Sequence, residues 1–414
     1  MMDMRRKRLW GRILPAALAL SLAAIPAAYA DEFVPGPGQR YDDATLARLR
    51  DNVLEYDEIE MLIEEYNTTY KNLKESYVDT RDSGKDVTKM KSQILSGSGA
   101  LSEQASELAG MAGMFKDALG YQSMVTPASY AELVYSSELL AQRAEQMTLS
   151  ADTLTELSPE MLKIRMLDTA YAGLVSGAQS AMIGYQQLLL QKDSLADTLT
   201  LLEAVYQSSQ TQAQAGLATQ NDVLTARQNL EAAQAGMLTI NVNQEKIRQT
   251  LCTMLGWQYN AVPEIRSVPA ADLSRIERMN PEADKVTAIE NNFTLRYNLL
   301  DYEKKTDGSI EQQNLERTLD QQREQIASSL VNLYNDVLQK RNEYQTAIAA
   351  YELEKTKMDA AERKLQVGTI GRLEYLQQKN AYVTKEIAVR NAELSLFQSM
   401  ETYDWALKGN LSIS

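Results

Sequence analysis

The sequence predicts an all-α protein built from tandem long antiparallel helical hairpins. Three observations carry that prediction. Helix breakers are scarce: 19 glycines and 9 prolines in 414 residues, beside 44% hydrophobic and 24% charged residues, describe a folded chain with long uninterrupted helices. A heptad seam runs through Ala226, Leu230, Ala233, Met237, Ile240, Gln244, Ile247, Leu251 and Met254, spaced alternately by four and three with one polar member. That is the pattern of a helix packed along a neighbour for its whole length. The chain also repeats. Gly216 stands six residues before Asp222, with Val223-Leu224 following, and Gly368 stands six residues before Glu374, with Tyr375-Leu376 following. The offset is 152 in both cases, and each glycine lies between two long amphipathic stretches.

Residues 1–30 read as a secretory signal peptide. Arg5, Arg6, Lys7 and Arg8 form a basic start, a largely apolar run covers Ile13 to Ile25, and Ala28-Tyr29-Ala30 supplies a small-x-small cleavage site. The alternative is an anchor that stays attached. Residues 31–159 form an N-terminal region. Within it, a Pro/Gly-containing leader precedes a helical pattern from Asp42 to Tyr77, a turn at Asp79–Lys85, and a weaker helix from Val87 to Leu119 interrupted by Ser96-Gly97-Ser98-Gly99. Gly120–Pro127 breaks the pattern, helix resumes at Ala128, and Ser158-Pro159 marks a stop and restart.

Residues 160–257 form the first long hairpin. One helix runs from Glu160 to about Gln214, with Leu188, Leu195, Leu199, Leu202 and Tyr206 on one face, and the heptad helix returns from it. Residues 258–283 are a connector holding Pro263, Pro269 and Pro281. Residues 284–408 form the second hairpin: a helical pattern to Lys305, a turn at Asp307-Gly308, a helix from Ile310 to about Leu365, and a return to Leu407. Leu376, Val383, Ile387, Leu394 and Phe397 lie on the inner side of that return. Residues 409–414 are a tail.

Composition excludes several functions. With no histidine, His-based triads and His-ligated metal sites are ruled out. The lone Cys252 forms no intramolecular disulfide and sits among Leu251, Met254 and Leu255, as a small core residue does. The formal charge is −14. The signal segment carries five basic residues and one acid, which leaves the remainder near −18, a surface that repels nucleic acid and anionic headgroups. No later run of about 18 apolar residues is present, so no transmembrane helix is expected beyond the signal segment. The acids are spread along helix faces, where i,i+4 pairing with Lys and Arg accounts for them. No catalytic residue, cofactor or metal is expected, and the chain is not expected to be an enzyme. Tyr344, Tyr351, Tyr375 and Tyr382 suit half-buried seams, where the ring packs and the hydroxyl reaches water; a contact between subunits is the other reading.

Glycine relieves the backbone where the chain reverses, and Asp222 and Glu374 fall in the first turns of the return helices, facing unpaired N–H groups. Helix capping accounts for both acids; an exposed polar tip for docking is a compatible second reading.

Gly216-Leu217-Ala218-Thr219-Gln220-Asn221-Asp222-Val223-Leu224, followed by Ala226-Arg227 and Leu230, resembles the hairpin-tip segment of the TolC-like outer membrane efflux family. Val367-Gly368-Thr369-Ile370, Leu373-Glu374-Tyr375-Leu376-Gln377-Gln378 and Asn380 resemble the second copy. Ala288-Ile289-Glu290-Asn291-Asn292, with Leu295, is similar to the family's Ala-x-x-x-Asn-Pro repeat start, with Phe293 in place of the proline. The resemblance is best over 160–256 and 284–408. It implies a homotrimer whose hairpins close into a hollow helical barrel, and tips that meet a periplasmic adaptor protein serving an inner-membrane pump. Gly216, Leu217, Asp222, Gly368, Thr369 and Glu374 are the tip and docking residues it implies.

The chain departs from the family in one respect. Each family repeat inserts two membrane-spanning strands, which need alternating segments of about 9–11 residues. The second-half slot, near 301–326, reads DYEKKTDGSIEQQNLERTLDQQREQI, and the first-half slot, within 78–160, shows no pair of alternating strands. The expectation is therefore little or no β-barrel, with 78–160 an extra helical excursion in the first half only. The functional expectation is an export or efflux component of the cell envelope, a homo-oligomer that docks an adaptor and binds no nucleic acid. A non-transport helical scaffold of the envelope is the alternative.

Overall fold

The computed structural model describes residues 40–83, 87–119, 134, 137–138, 140–145, 147–148 and 158–413. The predicted signal peptide, nearly all of the leader, the break at 120–127 and much of the helix expected from Ala128 lie outside the described residues. The chain separates into two units, residues 1–51 and 52–414. In the first, α1 (Asp43–Leu49) starts at Asp42, whose carboxylate accepts from Thr45 N at 2.7 Å.

The second unit is helical apart from two two-residue strands. β1 (Val53–Leu54) precedes a 3₁₀ turn at Tyr56–Glu58, α2 (Ile59–Tyr66), α3 (Thr68–Ser83) and α4 (Val87–Leu119). The described residues between 134 and 148 are helical. Then come α5 (Pro159–Lys163), a π-turn at Ile164–Asp168, α6 (Thr169–Gln214), α7 (Gln220–Met254), β2 (Glu264–Ile265), α8 (Leu273–Arg278), α9 (Pro281–Asn291), α10 (Phe293–Lys304), α11 (Ile310–Gln366) and α12 (Arg372–Leu407). The predicted fold class is the one observed: two long antiparallel hairpins, α6–α7 and α11–α12, with no barrel among the described residues.

The four long helices lie in the order α7, α6, α12, α11. Apolar seams close each hairpin. Leu195 of α6 meets Ala233 and Ile240 of α7, with Leu199, Leu202 and Met237 around them. Leu319, Ile326, Leu330 and Val337 of α11 meet Leu396, Met400, Tyr403 and Ala406 of α12. The heptad positions Ala226, Ala233, Ile240, Ile247, Leu251 and Met254 are all buried, as their spacing predicts. Its polar member, Gln244, donates to Tyr185 Oη and accepts from Lys192. Cys252 is buried, its thiol raised by that burial.

Several boundaries differ from those read in the sequence. The pattern expected over Asp42–Tyr77 stops at Leu49, gives way to β1, and breaks again at Asn67. The expected turn at Asp79–Lys85 is helical through Ser83, a stretch with no glycine or proline before Gly84. The weakness expected at Ser96–Gly99 is absent because Gly97 serves close packing: a Cβ there would fall 2.4 Å from Leu73 Cδ2, and Ser98 Oγ donates to Ala144 O at 2.6 Å. The helix from Glu160 contains the π-turn, which the periodicity does not reveal. The connector is ordered. β2 pairs in parallel with β1, Val53 with Glu264 and Leu54 with Ile265, and Arg275 of α8 reaches Glu401 and Asp404 of α12 at 2.8 and 2.7 Å.

The helix expected from Glu282 to Lys305 is two helices, split at Asn292. This asparagine is fully buried; its Oδ1 accepts from Leu295 N at 3.0 Å and its Nδ2 donates to Leu411 O at 2.9 Å. Asn67 repeats the arrangement, accepting from Tyr70 N at 2.8 Å and donating to Met254 O at 2.7 Å. Opposite these joints the return helices end in Gly256 (φ 83°) and Gly409 (φ 102°). A Cβ on either would meet a backbone oxygen, Tyr66 O at 2.7 Å or Asn291 O at 2.2 Å. Asn292→Ala leaves two buried backbone groups unpaired and should cost about 2–4 kcal/mol. Gly409→Ala, which adds the clash and an unfavourable φ, should cost at least as much. Gly99→Ala, with open space around its Cβ, should stabilise by about 0.5–1 kcal/mol. Urea-melt midpoints of the three variants check the order.

Candidate functional site: the two hairpin tips

The six residues singled out by the sequence lie at the two reversals. At the first, Gly216 adopts φ 75°, Gly216 N donates to Ala213 O, and Leu217 N donates to Gln212 O. At the second, Gly368 adopts φ 73°, Gly368 N donates to Leu365 O, and Thr369 N donates to Lys364 O. Every donor and acceptor in one reversal has its counterpart 152 residues on. A left-handed residue here lets the chain turn while satisfying carbonyls at the helix end, and glycine adopts it without a Cβ penalty.

The start of the return helix differs between the copies. Thr219 caps α7: its hydroxyl accepts from Asp222 N at 3.2 Å, and Asp222 Oδ2 accepts from Thr219 N at 2.8 Å. This reciprocal pair holds the Asp222 carboxyl below its ordinary range, the Thr219 backbone N–H being the leading cause. The equivalent cap of α12 is Gly371, which offers no side chain, and Glu374 stands exposed in the third position of that helix. Capping thus describes Asp222 in full, while Glu374 makes no reciprocal bond to its cap.

Between α11 and α12 at the second tip lies an open groove of about 380 Å³, lined by Lys357, Ala360, Lys364, Ile370, Glu374 and Gln377 among others. Behind it, Gln378 Nε2 donates to the buried Glu354, Lys357 pairs with the same carboxylate at 2.9 Å, and the Tyr351 and Tyr382 hydroxyls meet at 2.9 Å. The Tyr351 contact, with burial, pushes the Tyr382 phenol up to about 12. These tyrosines therefore pack within one chain. Leu217 and Val367 are the most exposed apolar residues of the two reversals, at 80% and 74%. Sequence reasoning named Leu217 but missed Val367, which lies one residue before the glycine.

Both tips are at the same end of the four-helix layer. Lys379 Nζ meets Asp197 Oδ1 at 2.7 Å and Asn380 Nδ2 donates to Thr198 Oγ1 at 3.0 Å, which sets α12 antiparallel to α6. From that point α6 continues to Gln214, whereas α12 reaches back only to Arg372. The first tip therefore extends further by about eight residues, roughly 12 Å at helical rise. Among the described residues no group of three or more His, Cys, Asp or Glu is placed to hold a metal ion, and no helix is long and apolar enough to cross a membrane.

No protein-family model matches the chain, and no curated protein sequence matches it. Similar solved structures include CusC, described in connection with folding and transmembrane channel formation, at 12% identity over 75% of this chain and 97% of that one, TM-score 0.48. They also include the outer-membrane channel OprN, at 15% identity over 92% and 98%, TM-score 0.42. A third is the outer membrane protein VceC of Vibrio cholerae, at 11% identity over 64% and 74%, TM-score 0.41.

Thr219→Ala should loosen the first turn of α7 by about 1 kcal/mol, and Gly371→Ser should firm the first turn of α12 by a few tenths. Because the folded-state pKa of Asp222 is depressed, its contribution is present above the unfolded carboxylate range and is lost as pH falls through the folded value. Hydrogen exchange at residues 220–224, compared at neutral and strongly acidic pH, should show protection falling only on the acid side.

Proposed function

We propose that the protein is an exported envelope component of the TolC-like kind, whose hairpins assemble side by side into a helical conduit and dock an adaptor protein at their tips. The observation that carries this reading is the pair of matched reversals, placed at one end of the layer and each presenting an exposed apolar residue beside a left-handed glycine. Gly216, Leu217, Asp222, Gly368, Thr369 and Glu374 form the docking surface. Leu217 and Val367 provide its apolar contacts, and Glu374 with Lys364 provides its charge.

The lateral edges support assembly. The edge helix α7 exposes Leu224, Leu238 and Val242, and the opposite edge helix α11 exposes Val331, Ile348 and Leu353. A ring places the α7 edge of one copy against the α11 edge of the next, a heterologous contact that closes by rotation. Three copies are what the sequence resemblance implies. The substrate passes through the assembly without chemical change.

Native mass measurement of the protein should give a trimer, and Leu238→Asp with Val242→Asp should return it to monomer with its helical circular dichroism intact. Binding to the adaptor proteins of the same cell should fall at least tenfold in Leu217→Asp with Val367→Asp, while the trimer persists. A wild-type monomer that binds none of those adaptors would overturn the proposal in favour of an envelope scaffold.

A further inference from the structure

The seam between the two halves holds a small cavity of about 20 Å³. Ser176, Gln179 and Ser180 of α6, Gln398 and Glu401 of α12, and Asn410 beyond it contribute to its walls. Two polar atoms of these walls are unmatched: Gln398 Oε1 and Asn410 Oδ1 are buried without a hydrogen-bond partner, in residues only 5% and 7% exposed. The neighbouring groups are engaged. Gln179 Oε1 accepts from Trp405 Nε1 at 2.8 Å, Gln398 Nε2 reaches Ser180 Oγ at 3.4 Å, and the Glu401 carboxylate takes Arg275 at 2.8 Å and Tyr56 Oη at 3.3 Å.

An amide oxygen buried without a donor is costly, and native proteins resolve the cost with a partner or a water. Both unmatched atoms are acceptors, so the occupant must donate. The cavity exceeds the 10–15 Å³ or so that one water needs and leaves no room for a larger molecule. A water has two O–H groups for these two oxygens, and its lone pairs can accept from the hydroxyls of Ser176 or Ser180. A bare monovalent cation is disfavoured, since the one carboxylate in the wall is already held by Arg275 and Tyr56.

We propose that this cavity is the binding site of a single long-lived water that donates to Gln398 Oε1 and Asn410 Oδ1. The water joins the α6–α12 seam to the C-terminal turn. That turn is the one in which Gly409 and Leu411 hold Asn291 and Asn292, so one water connects the contact between the halves to the base joint of the second half. The inference is independent of any transport role.

A high-resolution crystal structure of the protein tests it directly. The expected result is one spherical peak at about 2.7–3.2 Å from both oxygens. In solution, water oxygen-17 relaxation dispersion should lose the amplitude of one long-lived water in Gln398→Met and keep it in Asn410→Asp, which retains the acceptor. Any of four results would overturn the proposal: an empty cavity, a peak with several shorter contacts typical of a cation, a Gln398 amide turned to bond Asn410 directly, or a dispersion amplitude unchanged in folded Gln398→Met.

Discussion

The antiparallel contact of α6 with α12 is the interaction on which the rest of the second unit depends, because it alone joins the two long hairpins along their length. It is also the most polar of the three long seams. Buried Ser180, Gln187, Gln191 and Ser194 recur along α6 at spacings of seven, four and three, and buried Asn391, Ser395 and Gln398 recur along α12 at four and three. Each hairpin, by contrast, closes on leucine, isoleucine, valine and methionine. Apolar burial stabilises at roughly 25 cal/mol per Å², whereas an exchange of hydrogen bonds with water nets only about 0.5–1.5 kcal/mol each. The hairpins are therefore the strong units, and the junction between them is softer but geometrically specific. Trp405 with Gln179 and Lys379 with Asp197 fix its register near the two ends.

That junction brings together two copies of one design. The offset is 152 across the tips and 153 at the glycine turns that close the return helices, so α12 holds one residue more than α7. At the buried asparagines the offset is 225, between Asn67 and Asn292. The difference of 73 residues is the length that the first half carries between its joint and its tip and the second half lacks. In the second half, Asp307-Gly308 makes the passage from α10 to α11 in a short turn. In the first half, α4 and the helical residues up to 148 occupy that interval and pack on the base of α6: Leu140 fills the space beside Gly173, and Leu108 the space beside Gly177. The extra length is thus folded back as helix against the first hairpin.

The long helices were legible because their signal is repeated. Nine heptad positions in α7 cannot agree by accident, and Gly216 and Gly368 mark the reversals because a left-handed residue has few alternatives. What escaped the sequence was single-residue chemistry. Asn67 and Asn292 each leave a helical ladder to bond a carbonyl far along the chain, and nothing local distinguishes such an asparagine from a surface one. The resemblance pointed at Asn292, yet its buried amide is what splits α9 from α10. The β1–β2 ladder is two residues long, below any periodicity threshold, and pairs segments about 210 residues apart. The π-turn is a change of hydrogen-bond step within an unbroken apolar face, where Arg165 lies 4.0 Å over the Tyr297 ring and Asp168 approaches Arg296. Glu374 was read with Asp222 because both stand third in their helices, but the residue at the cap, threonine or glycine, decides whether the acid is held.

The same accounting explains why the two ends of the layer differ. At the base, each joint combines a buried asparagine, a glycine turn against backbone and, in the second half, the Arg275 contacts to α12 and the Tyr403 hydroxyl on Asp284 at 2.7 Å. Toward the second tip the apolar cluster stops. Its α11 core ends at Val337, and beyond it the hairpin closes through Tyr351 with Tyr382 and through Glu354 with Gln378 and Lys357. Polar closures of this kind hold geometry at small net stability, so local opening proceeds from the tips toward the base. A surface that must meet a partner is better placed at that end, where rearrangement disturbs few buried apolar contacts and the joints that define the fold stay closed.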